Sequence, residues 1–504
     1  MDSKQLKDSG ILVVSNLAVN LAGFLRQVIM AWVLGVSAGV DLLLLAMIVP
    51  SIIQAMIGGG AGEIMVIKRD RPGHSQGSFE TLYIVSCLIP VVLLGALWYL
   101  FSGLVTPFFD ITVADEGLFR GLSLIFIINM LPGTFTSVLR PHLYSGGHYA
   151  FYAVSTIVSQ IVGILFIIFT VGRLGIWSFA WSHLISGTMN AVWFSFRAGL
   201  KPAGIFSPAV WKHEAEQLVI LMKRVFSLSV QTLLNHFATF WERSLSVKYL
   251  SAGYLSSLNY SRTLTELPNT VLLSSVLTTS YIEQVRLHKE DYAGFETYTA
   301  RTLKLIINAG FLFQALMLLL APVIIILVYR RGRFDNEAVQ TTLVIFNIIT
   351  VGFLPRLVMN FFSRTMYILG EYRKLLLAIT IKVVAQISVM VAFINLAGHA
   401  IPFAIVAGFM IVALLLYIFM KKHVALPSIM SFVARLGIIS LASTALLMVH
   451  SYTIDHYIGK SNTTIFLLSL PLMLIASAAI LYFMHRNHIT PAFITKIRNR
   501  IWTK

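Results

Sequence analysis

The sequence predicts an all-α membrane protein of about fourteen transmembrane helices, and two observations lead to this prediction. Only 12% of the 504 residues are charged and 57% are hydrophobic, whereas soluble proteins carry about 25% charged residues. Apolar runs of about 20 residues, the length that spans a bilayer, recur along the chain. This pattern leaves little of the chain for a soluble domain.

The apolar runs define the predicted spans in chain order. They lie at 11–33, 40–60, 79–103, 118–144, 149–171, 175–196, 225–249, 254–282, 299–328, 337–363, 373–397, 400–420, 430–452 and 463–485. The first run follows a short polar segment and is longer than the apolar core of a typical signal peptide. We therefore interpret it as a retained first helix.

The distribution of Lys and Arg among the loops predicts the orientation. Most of them fall in alternate loops and in the two termini, among them Lys68, Arg373 and Lys421. The other loops carry Arg173, Arg330, Arg331, Arg333 and Lys460. Since basic residues are enriched in cytoplasmic loops, both termini are predicted to be cytoplasmic. The net charge of +17 is then explained by membrane topology and does not indicate a nucleic-acid partner. Binding of anionic lipid headgroups is a second explanation for the excess of basic residues.

The longest predicted loop divides the spans into six and eight. The predicted organisation is an N-lobe at 1–196 with helices 1–6, a cytoplasmic amphipathic linker at 197–224, a C-lobe at 225–421 with helices 7–12, and a C-terminal part at 422–504 with helices 13–14 and a basic cytoplasmic tail. A weak internal echo agrees, because Ser37-Ala38-Gly39 and Ser251-Ala252-Gly253 each follow an arginine-bearing helix and precede one with proline. Many transporters are built from such repeats.

Charged side chains within the spans are the candidate functional residues, because a charge at the bilayer centre costs about 2.5–3.5 kcal/mol on insertion scales. They are Arg26, Asp41, Arg140, Glu242, Arg243, Arg262, Glu266, Arg356 and Lys382. One interpretation of the first hairpin is an ion pair between Arg26 and Asp41. Arg26 and Arg262 are favoured as cavity residues, whereas Glu242 and Arg243 fit an ion pair with another helix as well as a substrate role.

Three of these residues have a simpler interpretation. Arg140, Arg356 and Lys382 are expected near helix ends, from where their long side chains reach the membrane interface. Even so, arginine and lysine outnumber carboxylates within the spans. Because guanidinium groups bind phosphate bidentately and stay charged when buried, this balance favours an anionic substrate such as a diphosphate.

Several motifs that would indicate an enzyme or a pump are missing from the sequence. The segment Gly58-Gly59-Gly60-Ala61-Gly62-Glu63 lacks the Lys-Ser/Thr of a phosphate loop. We find no ATPase, metal-ligand or nucleophile motif, and the single Cys87 closes no internal disulfide. We therefore expect a transporter rather than an enzyme, with no cofactor. A cation gradient, the membrane potential or downstream consumption of the product would drive it.

Four motifs, in order and at consistent spacing, resemble those of one family. They are Gly23-Phe24-Leu25-Arg26 with Gly35, Asp41, Ala46 and Pro50; the stretch Tyr260–Pro268; the turn Tyr329–Phe334; and Phe361-Phe362-Ser363-Arg364. This set resembles the MurJ/MviN family of lipid-linked saccharide flippases, in the multidrug/oligosaccharidyl-lipid/polysaccharide (MOP) exporter superfamily. The resemblance extends over residues 10–420.

The resemblance implies two six-helix lobes around a central cavity, an added C-terminal helix pair, and alternating access by a monomer in the bacterial inner membrane. The cargo would be a polyprenyl-diphosphate-linked saccharide, moved from the inner to the outer leaflet with its lipid tail in a groove along helices 13 and 14. Membrane lipids and glycan-synthesis enzymes are the other implied partners. Carried over by position, Arg26 and Asp41 would be cavity residues and Arg262 a contact of the diphosphate. Glu242 and Arg243 are further candidate substrate-binding residues because of their charge within the spans.

The sequence also departs from the family pattern. Asn20 and Gln54 stand where lipid II flippases usually carry arginines, and they are kept as candidate substrate-binding positions. Thr263 aligns with the family's arginine in helix 8, and Arg262 comes one residue earlier. Because successive residues of a helix are about 100° apart, Arg262 would point in a different direction from the family's arginine. Lipid II and an exopolysaccharide or other envelope-glycan precursor therefore both stay open as cargo.

Two other functions compete with that of a flippase. A cation-coupled exporter of small drugs, from the same superfamily, predicts an essential membrane carboxylate, with Asp41, Glu242 and Glu266 as the candidates. A non-transporting scaffold of a glycan-synthesis complex would tolerate neutralisation of the buried charges. It would instead lose function when its cytoplasmic loops are changed.

Overall fold

The computed structural model describes residues 3–69, 76–145, 148–198, 208–272, 277–395 and 398–424. These residues are helical apart from short turns, and the predicted all-α fold is confirmed. The predicted spans 430–452 and 463–485 and the basic tail lie outside the described residues. We call residues 3–198 the first half and residues 208–424 the second half.

The helices of the first half follow the predicted spans closely. They are α1 (Ser3–Leu34), α2 (Ala38–Ala46), α3 (Ile48–Arg69), α4 (Gln76–Val105), α5 (Val113–Ser145), α6 (Tyr149–Leu174) and α7 (Trp177–Ala198). A short 3-10 turn, Pro107–Phe109, lies between α4 and α5. The predicted span 40–60 is divided at Met47 into α2 and α3, and the two together form one candidate membrane span.

The second half contains longer helices and one sharp bend. They are α8 (Pro208–Tyr249), α9 (Tyr254–Leu272), α10 (Thr278–Glu290), α11 (Tyr292–Tyr329), α12 (Asn336–Val351), α13 (Phe353–Ile368), α14 (Tyr372–Phe393) and α15 (Ala400–Met420). The axes of α12 and α13 meet at 43°. Gly352 lies at this bend and Pro355 follows it, and proline lacks the N–H that a continuous helix would use there.

Two boundaries predicted from the sequence were wrong. Much of the predicted linker 197–224 belongs to α8, which runs without interruption from Pro208 to Tyr249. Proline suits the first position of a helix, where its missing N–H costs nothing. The predicted span 254–282 contains two helices, because α9 ends at Leu272 and α10 begins at Thr278.

Within the described residues, eight helices are long and apolar enough to cross a membrane, or nine if α12 and α13 form one span. The predicted spans 175–196, 225–249 and 254–282 fall on α7, α8 and α9, which are more polar. Serines of α7 (Ser178, Ser182 and Ser186) are buried against protein. The mean hydropathy of such a helix therefore underestimates its suitability as a membrane span. The chain is a multi-pass membrane protein, but the structure does not fix fourteen as its number of spans.

The helices of each half pack mainly with one another. In the first half α5 packs against α3, α4 and α7, and α6 packs against α1 and α7. In the second half α14 packs against α8 and α15, while α9 packs against α12. The halves meet where α3 lies along α8 and where α1 and α2 contact α9. The charged residues predicted from the sequence lie along these helices.

Candidate functional site

Arg26, on α1, is held inside the first half. Its guanidinium donates hydrogen bonds to Gln160 Oε1 at 2.9 Å and to Ser186 Oγ at 3.1 Å, and its Nη1 lies 3.0 Å from His183 Nδ1. Arg26 is only 5% exposed. The predicted ion pair between Arg26 and Asp41 is therefore wrong, because the arginine side chain points towards α6 and α7.

Gly163, on α6, has no side chain, and the Arg26 guanidinium occupies the space that a side chain would fill. A Cβ atom at this position would lie 2.1 Å from Ser186 Oγ and 2.8 Å from Arg26 Nη2. Both distances are well below ordinary contact, so the guanidinium and the hydroxyl fill the room that a side chain would need. A backbone without Cβ is what allows α1, α6 and α7 to close around a buried cation.

Asp41, in the first turn of α2, binds the beginning of α9 across the interface between the halves. Its carboxylate accepts hydrogen bonds of 2.7 Å from the backbone N–H groups of Gly253 and Ser256, and a further one from the Ser256 hydroxyl. The first N–H groups of a helix have no partner within it and carry partial positive charge, so a carboxylate stabilises them. Asp41 thus acts as a cap on a helix of the other half.

The two segments of the internal echo touch each other at this point. Gly253 has φ +88°, and a Cβ atom on it would lie 2.4 Å from Val36 Cγ1 and 3.2 Å from the backbone nitrogen of Ser37. Glycine adopts such a φ at little cost, whereas other residues rarely do. The resemblance between the two three-residue segments therefore coincides with a direct contact between the turns that contain them.

A third turn completes this contact, and we call the assembly of turns 35–37, 250–253 and 330–335 the turn cluster. The backbone N–H of Arg333 donates to Trp32 O at 2.9 Å. A Cβ on Gly332 (φ +61°) would lie 2.1 Å from the same oxygen. Trp32 Nε1 donates to Val328 O at 2.7 Å. The turn cluster thus joins α1 of the first half to α11 of the second.

Aromatic residues from two of the family-like motifs fill the centre of the turn cluster. The Tyr260 hydroxyl donates to Gly35 O at 3.0 Å, and the Tyr329 hydroxyl donates to Tyr260 O at 3.2 Å. The rings of Tyr260, Tyr329 and Phe334 lie with centroids 5.3–5.8 Å apart. Motifs that are far apart in the sequence therefore meet at one end of the molecule.

Two ion pairs cross between helices of the second half. Glu242 on α8 accepts from Arg262 on α9, with Arg262 Nη2 2.7 Å from Glu242 Oε1. Glu266 on α9 accepts from Arg356 on α13 at 2.6 Å. The predicted ion pair of Glu242 with another helix is confirmed. Arg243 instead donates to Leu44 O of α2, across the interface between the halves.

Lys382 lies halfway along α14 and is buried, with 7% of its surface exposed. Its ammonium donates to Asn235 Oδ1 at 2.9 Å. It lies 5.3 Å from the centroid of the Phe409 ring, and the Arg356 guanidinium lies 5.5 Å from the same centroid. The interpretation of Lys382 as an end-of-helix residue is wrong, whereas Arg356 does lie in the first turn of α13 but pairs there with Glu266. Arg140 alone of the three is exposed, near the end of α5.

The two remaining candidate positions are Asn20 and Gln54. Asn20 is an exposed residue of α1. Gln54 packs its amide against Gly133 of α5, where a Cβ would lie 2.5 Å from Gln54 Nε2. Sequence reasoning missed Gln160, His183 and Asn235, although a polar residue within an apolar helix is a signal that would have identified them. The described residues contain no group of His, Cys, Asp and Glu suited to hold a metal.

The comparisons with known proteins agree with this architecture. The sequence matches the family model of the lipid II flippase MurJ over residues 30–468. A structure of the lipid II flippase MurJ in an inward closed conformation matches with a TM-score of 0.77 and 20% identity, over 95% of this chain and 99% of that one. No curated protein matches the sequence.

Transporters of the MOP superfamily share the fold at lower similarity. An inward-facing multidrug resistance MATE family transporter matches with a TM-score of 0.63 and 15% identity, over 82% of this chain and 94% of that one. A MOP superfamily transporter from Pyrococcus furiosus matches with a TM-score of 0.58 and 15% identity, over 84% and 98% of the two chains. At such identities the likeness shows the fold alone.

Proposed function

Because the chain belongs to the lipid II flippase MurJ family, we propose that it carries a polyprenyl-diphosphate-linked saccharide from the inner to the outer leaflet of the bacterial inner membrane. It acts as a transporter and not as an enzyme, and it needs no cofactor. The cargo is lipid II or a related envelope-glycan precursor, and the membrane potential or a cation gradient supplies the driving force.

The observation that supports an anionic cargo is the charge balance inside the second half. We call Arg243, Arg262, Arg356 and Lys382 the cation cluster. Within the described residues, Glu242 and Glu266 are each paired with one arginine of this cluster. In the same part of the chain, the hydrogen bonds of Arg243 and Lys382 go to neutral oxygens, those of Leu44 and Asn235. A buried charge without a counter-ion is costly, and an anionic substrate group offsets that cost.

The partial exposure of two cluster residues supports a cavity rather than a sealed core. The side chains of Arg262 and Arg356 are 29% and 24% exposed. A charged group that faced lipid at this depth would be strongly unfavourable. We therefore assign the exposed parts of both side chains to a water-filled space that receives the diphosphate head.

The turn cluster supports alternating access. It ties both halves together at one end through hydrogen bonds and ring contacts, and the loop charges predict that this end is periplasmic. In the state described here the turn cluster closes the outer end. Release of cargo to the outer leaflet requires that the bonds of Asp41, Trp32 and Tyr260 break and that the halves separate there.

The contacts of the carboxylates argue against the cation-coupled drug exporter. Asp41 is bound to the backbone of α9, and Glu242 and Glu266 are bound to arginines. A carboxylate engaged in this way is a poor site for a coupling cation or a cationic drug, because its negative charge is already compensated. The exporter hypothesis would need one of these pairs to open during transport.

Reconstitution tests the proposal directly. Purified protein is placed in liposomes that contain a fluorescent undecaprenyl-diphosphate-linked saccharide, and the fraction of label reached by a membrane-impermeant quencher is followed. We expect faster exchange between leaflets with wild type, slower exchange with Arg262→Gln, and wild-type exchange with Arg286→Gln, whose arginine lies on the exposed face of α10. Exchange no faster than in protein-free liposomes would contradict transport and favour the scaffold.

The cargo itself is identified by a separate measurement. Mass spectrometry of lipid that co-purifies with the protein distinguishes a peptidoglycan precursor from an exopolysaccharide unit by the mass of the saccharide. Export of a cationic dye from the same liposomes, without exchange of the lipid-linked saccharide, would support the drug exporter instead.

A further inference from the structure

We infer that Lys382 and Arg356, which share the ring of Phe409, form the subsite that binds the diphosphate of the cargo in the second half. This inference rests on the proposed function and deepens it. It also makes Lys382 a residue that determines specificity for a diphosphate over a single phosphate.

The first argument is geometric. The Lys382 ammonium and the Arg356 guanidinium lie 5.3 and 5.5 Å from the centroid of one ring, so the ring positions two cations that come from different helices. Lys382 reaches this position from the middle of α14. A Cβ on Gly408 of α15 would lie 3.4 Å from Lys382 Cγ, a van der Waals distance, so α15 passes alongside the lysine stem.

The second argument concerns hydrogen-bond donors. An ammonium has three N–H groups and a guanidinium has five. Lys382 uses one of its donors on Asn235 Oδ1, and Arg356 directs Nη2 to Glu266. Both residues therefore keep donors for further acceptors. The oxygens of a diphosphate are acceptors that cationic donors bind strongly, and two separate cations suit two phosphoryl groups.

The third argument is the net charge around Lys382. The charged groups that act on its ammonium are Arg356, Arg262 and Glu242, and its direct partners, Asn235 and Phe409, are neutral. Glu266 pairs with Arg356 and Glu242 pairs with Arg262, so the four cations of the cation cluster face two carboxylates and an excess of two positive charges is left. An anion that carries two charges offsets this excess better than one that carries a single charge.

Among the described residues of the first half we find no comparable site. Asn20 and Gln54 are neutral, and Arg26 is surrounded by Gln160, His183 and Ser186. The contacts around Gly163 leave too little room beside Arg26 for even one methyl group. Among the candidate residues that the structure describes within the spans, Lys382 and Arg356 keep donors for a ligand, and both lie in the second half.

The bent helix supports the same location. α13 begins at Phe353, directly after the 43° bend, and Arg356 lies in its first turn. Discontinuous membrane helices often begin at a substrate site, because their first N–H groups favour negative charge. At this helix end the Leu354 N–H donates to Gln314 Oε1 at 3.2 Å and Pro355 has no N–H, so the bend positions Arg356 and the two side chains supply the donors.

The test is a binding measurement on the purified full-length protein. Native mass spectrometry follows titration with undecaprenyl diphosphate and, separately, with undecaprenyl monophosphate. We expect wild type to prefer the diphosphate. In Lys382→Met, which keeps the length of the side chain and removes its charge, diphosphate affinity is expected to fall about 10- to 100-fold, the effect of losing one charged hydrogen bond. Monophosphate affinity should change much less.

Control variants separate charge from stability. Lys374→Met removes a lysine of the same helix that pairs with Glu371 at 2.5 Å near the first turn, and it should bind both lipids like wild type. Lys382→Arg keeps the charge and should retain most of the preference. Thermal melting checks the fold, and Lys382→Gln, which can still donate to Asn235, replaces the methionine variant if that variant unfolds.

The possible results have distinct meanings. Loss of the diphosphate preference in Lys382→Met, with the preference kept in Lys374→Met, supports the subsite. A wild-type preference in folded Lys382→Met and Lys382→Gln overturns the subsite and leaves the proposed function intact. Wild type that binds neither lipid overturns the proposed function, and the subsite with it.

Discussion

The carboxylate of Asp41 accepts a 2.7 Å hydrogen bond from the backbone N–H of Gly253, 212 positions later in the chain. Asp41 lies two residues after the first segment of the internal echo and Gly253 ends the second segment. Their hydrogen bond joins the first turn of α2 to the beginning of α9. An acidic side chain of one half therefore caps a helix of the other. Any separation of the halves at this end must leave the first N–H groups of α9 without this partner.

Asp41→Asn should loosen this end of the molecule. An amide keeps one acceptor oxygen and loses the charge, and a hydrogen bond to a charged group contributes about 1.5–3 kcal/mol. We expect amide hydrogen exchange at Gly253 and Ser256 to become about tenfold faster or more, as measured by mass spectrometry in detergent. Asp291→Asn is the control, since Asp291 caps its own helix α11 through Gly294.

Unchanged exchange at the start of α9 in Asp41→Asn would show that this cap does not hold the halves together. Faster exchange at Gly294 alone is expected in Asp291→Asn, because that cap is local. The comparison separates the loss of any helix cap from the loss of a cap that crosses the interface between the halves.

Gly332→Ala should destabilise the protein more than Gly370→Ala. Both glycines have positive φ, +61° and +71°, but a Cβ on Gly332 would lie 2.1 Å from Trp32 O, whereas a Cβ on Gly370 meets nothing within 4 Å. The left-handed conformation alone costs a residue other than glycine about 1–2 kcal/mol. Steric overlap in the turn cluster adds about 1–3 kcal/mol.

Thermal melting of the two variants in the same detergent measures this difference. The melting temperature should fall for both variants and fall further for Gly332→Ala. Equal losses would mean that the turn cluster accommodates the new methyl group by moving, and that its close approach does not matter for stability.

Glu242→Gln should be strongly destabilising because Glu242 is buried and is paired with Arg262 at 2.7 Å. Removal of one partner of a buried ion pair costs about 3–5 kcal/mol, since the remaining charge loses its counter-ion. Because Arg262 is partly exposed, we expect the lower end of that range. The double variant Glu242→Gln/Arg262→Gln should recover part of the loss.

Denaturant unfolding in mixed micelles provides the free energies for this comparison. Glu290→Gln serves as the control, since Glu290 pairs with Arg286 on the exposed surface of α10 at 2.8 Å and such pairs contribute little. A double variant as unstable as Glu242→Gln would indicate that repair of the charge balance is not what matters at this position.

The sequence predicted where the helices lie along the chain better than it predicted which helices and side chains contact one another. Runs of apolar residues located most of the helices from α1 to α15, because helix length and bilayer thickness are linked. They missed the beginning of α8 at Pro208 and the division of 254–282 into α9 and α10. Arg26 and Asp41 were predicted to lie within the membrane spans, and both are buried in the structure. Their partners were not predicted, because a hydropathy pattern contains no information on which helix packs beside α1. Gln160 and His183 become partners of Arg26 only through the packing of α6 and α7 against α1.

Lys382 illustrates the same limit at the candidate site. Its place within an apolar run allowed either an end-of-helix position or a buried one. The choice depends on Asn235 and Phe409, which come from α8 and α15. The small residues were more informative than they first appeared, since Gly35, Gly253 and Gly332 all lie where two backbones meet. A glycine in a turn between membrane helices marks such contacts when close approach leaves no room for Cβ.

Gly163→Ala and Gly172→Ala, both on α6, should change stability in opposite directions. Alanine is favoured over glycine in a helix by about 1 kcal/mol, so Gly172→Ala, with nothing within 4 Å of its Cβ, should raise the melting temperature. Gly163→Ala places a Cβ 2.1 Å from Ser186 Oγ and 2.8 Å from Arg26 Nη2. It should therefore destabilise by about 1–3 kcal/mol, the cost of overpacking.

The double variant Gly163→Ala/Ser186→Ala identifies which contact is responsible. Removal of the Ser186 hydroxyl eliminates the 2.1 Å overlap and leaves the 2.8 Å approach to Arg26. If the hydroxyl dominates, the double variant should melt close to Ser186→Ala. If the arginine dominates, the loss should persist. A Gly163→Ala protein as stable as Gly172→Ala would contradict the packing described around Arg26, because the guanidinium would then have space to move.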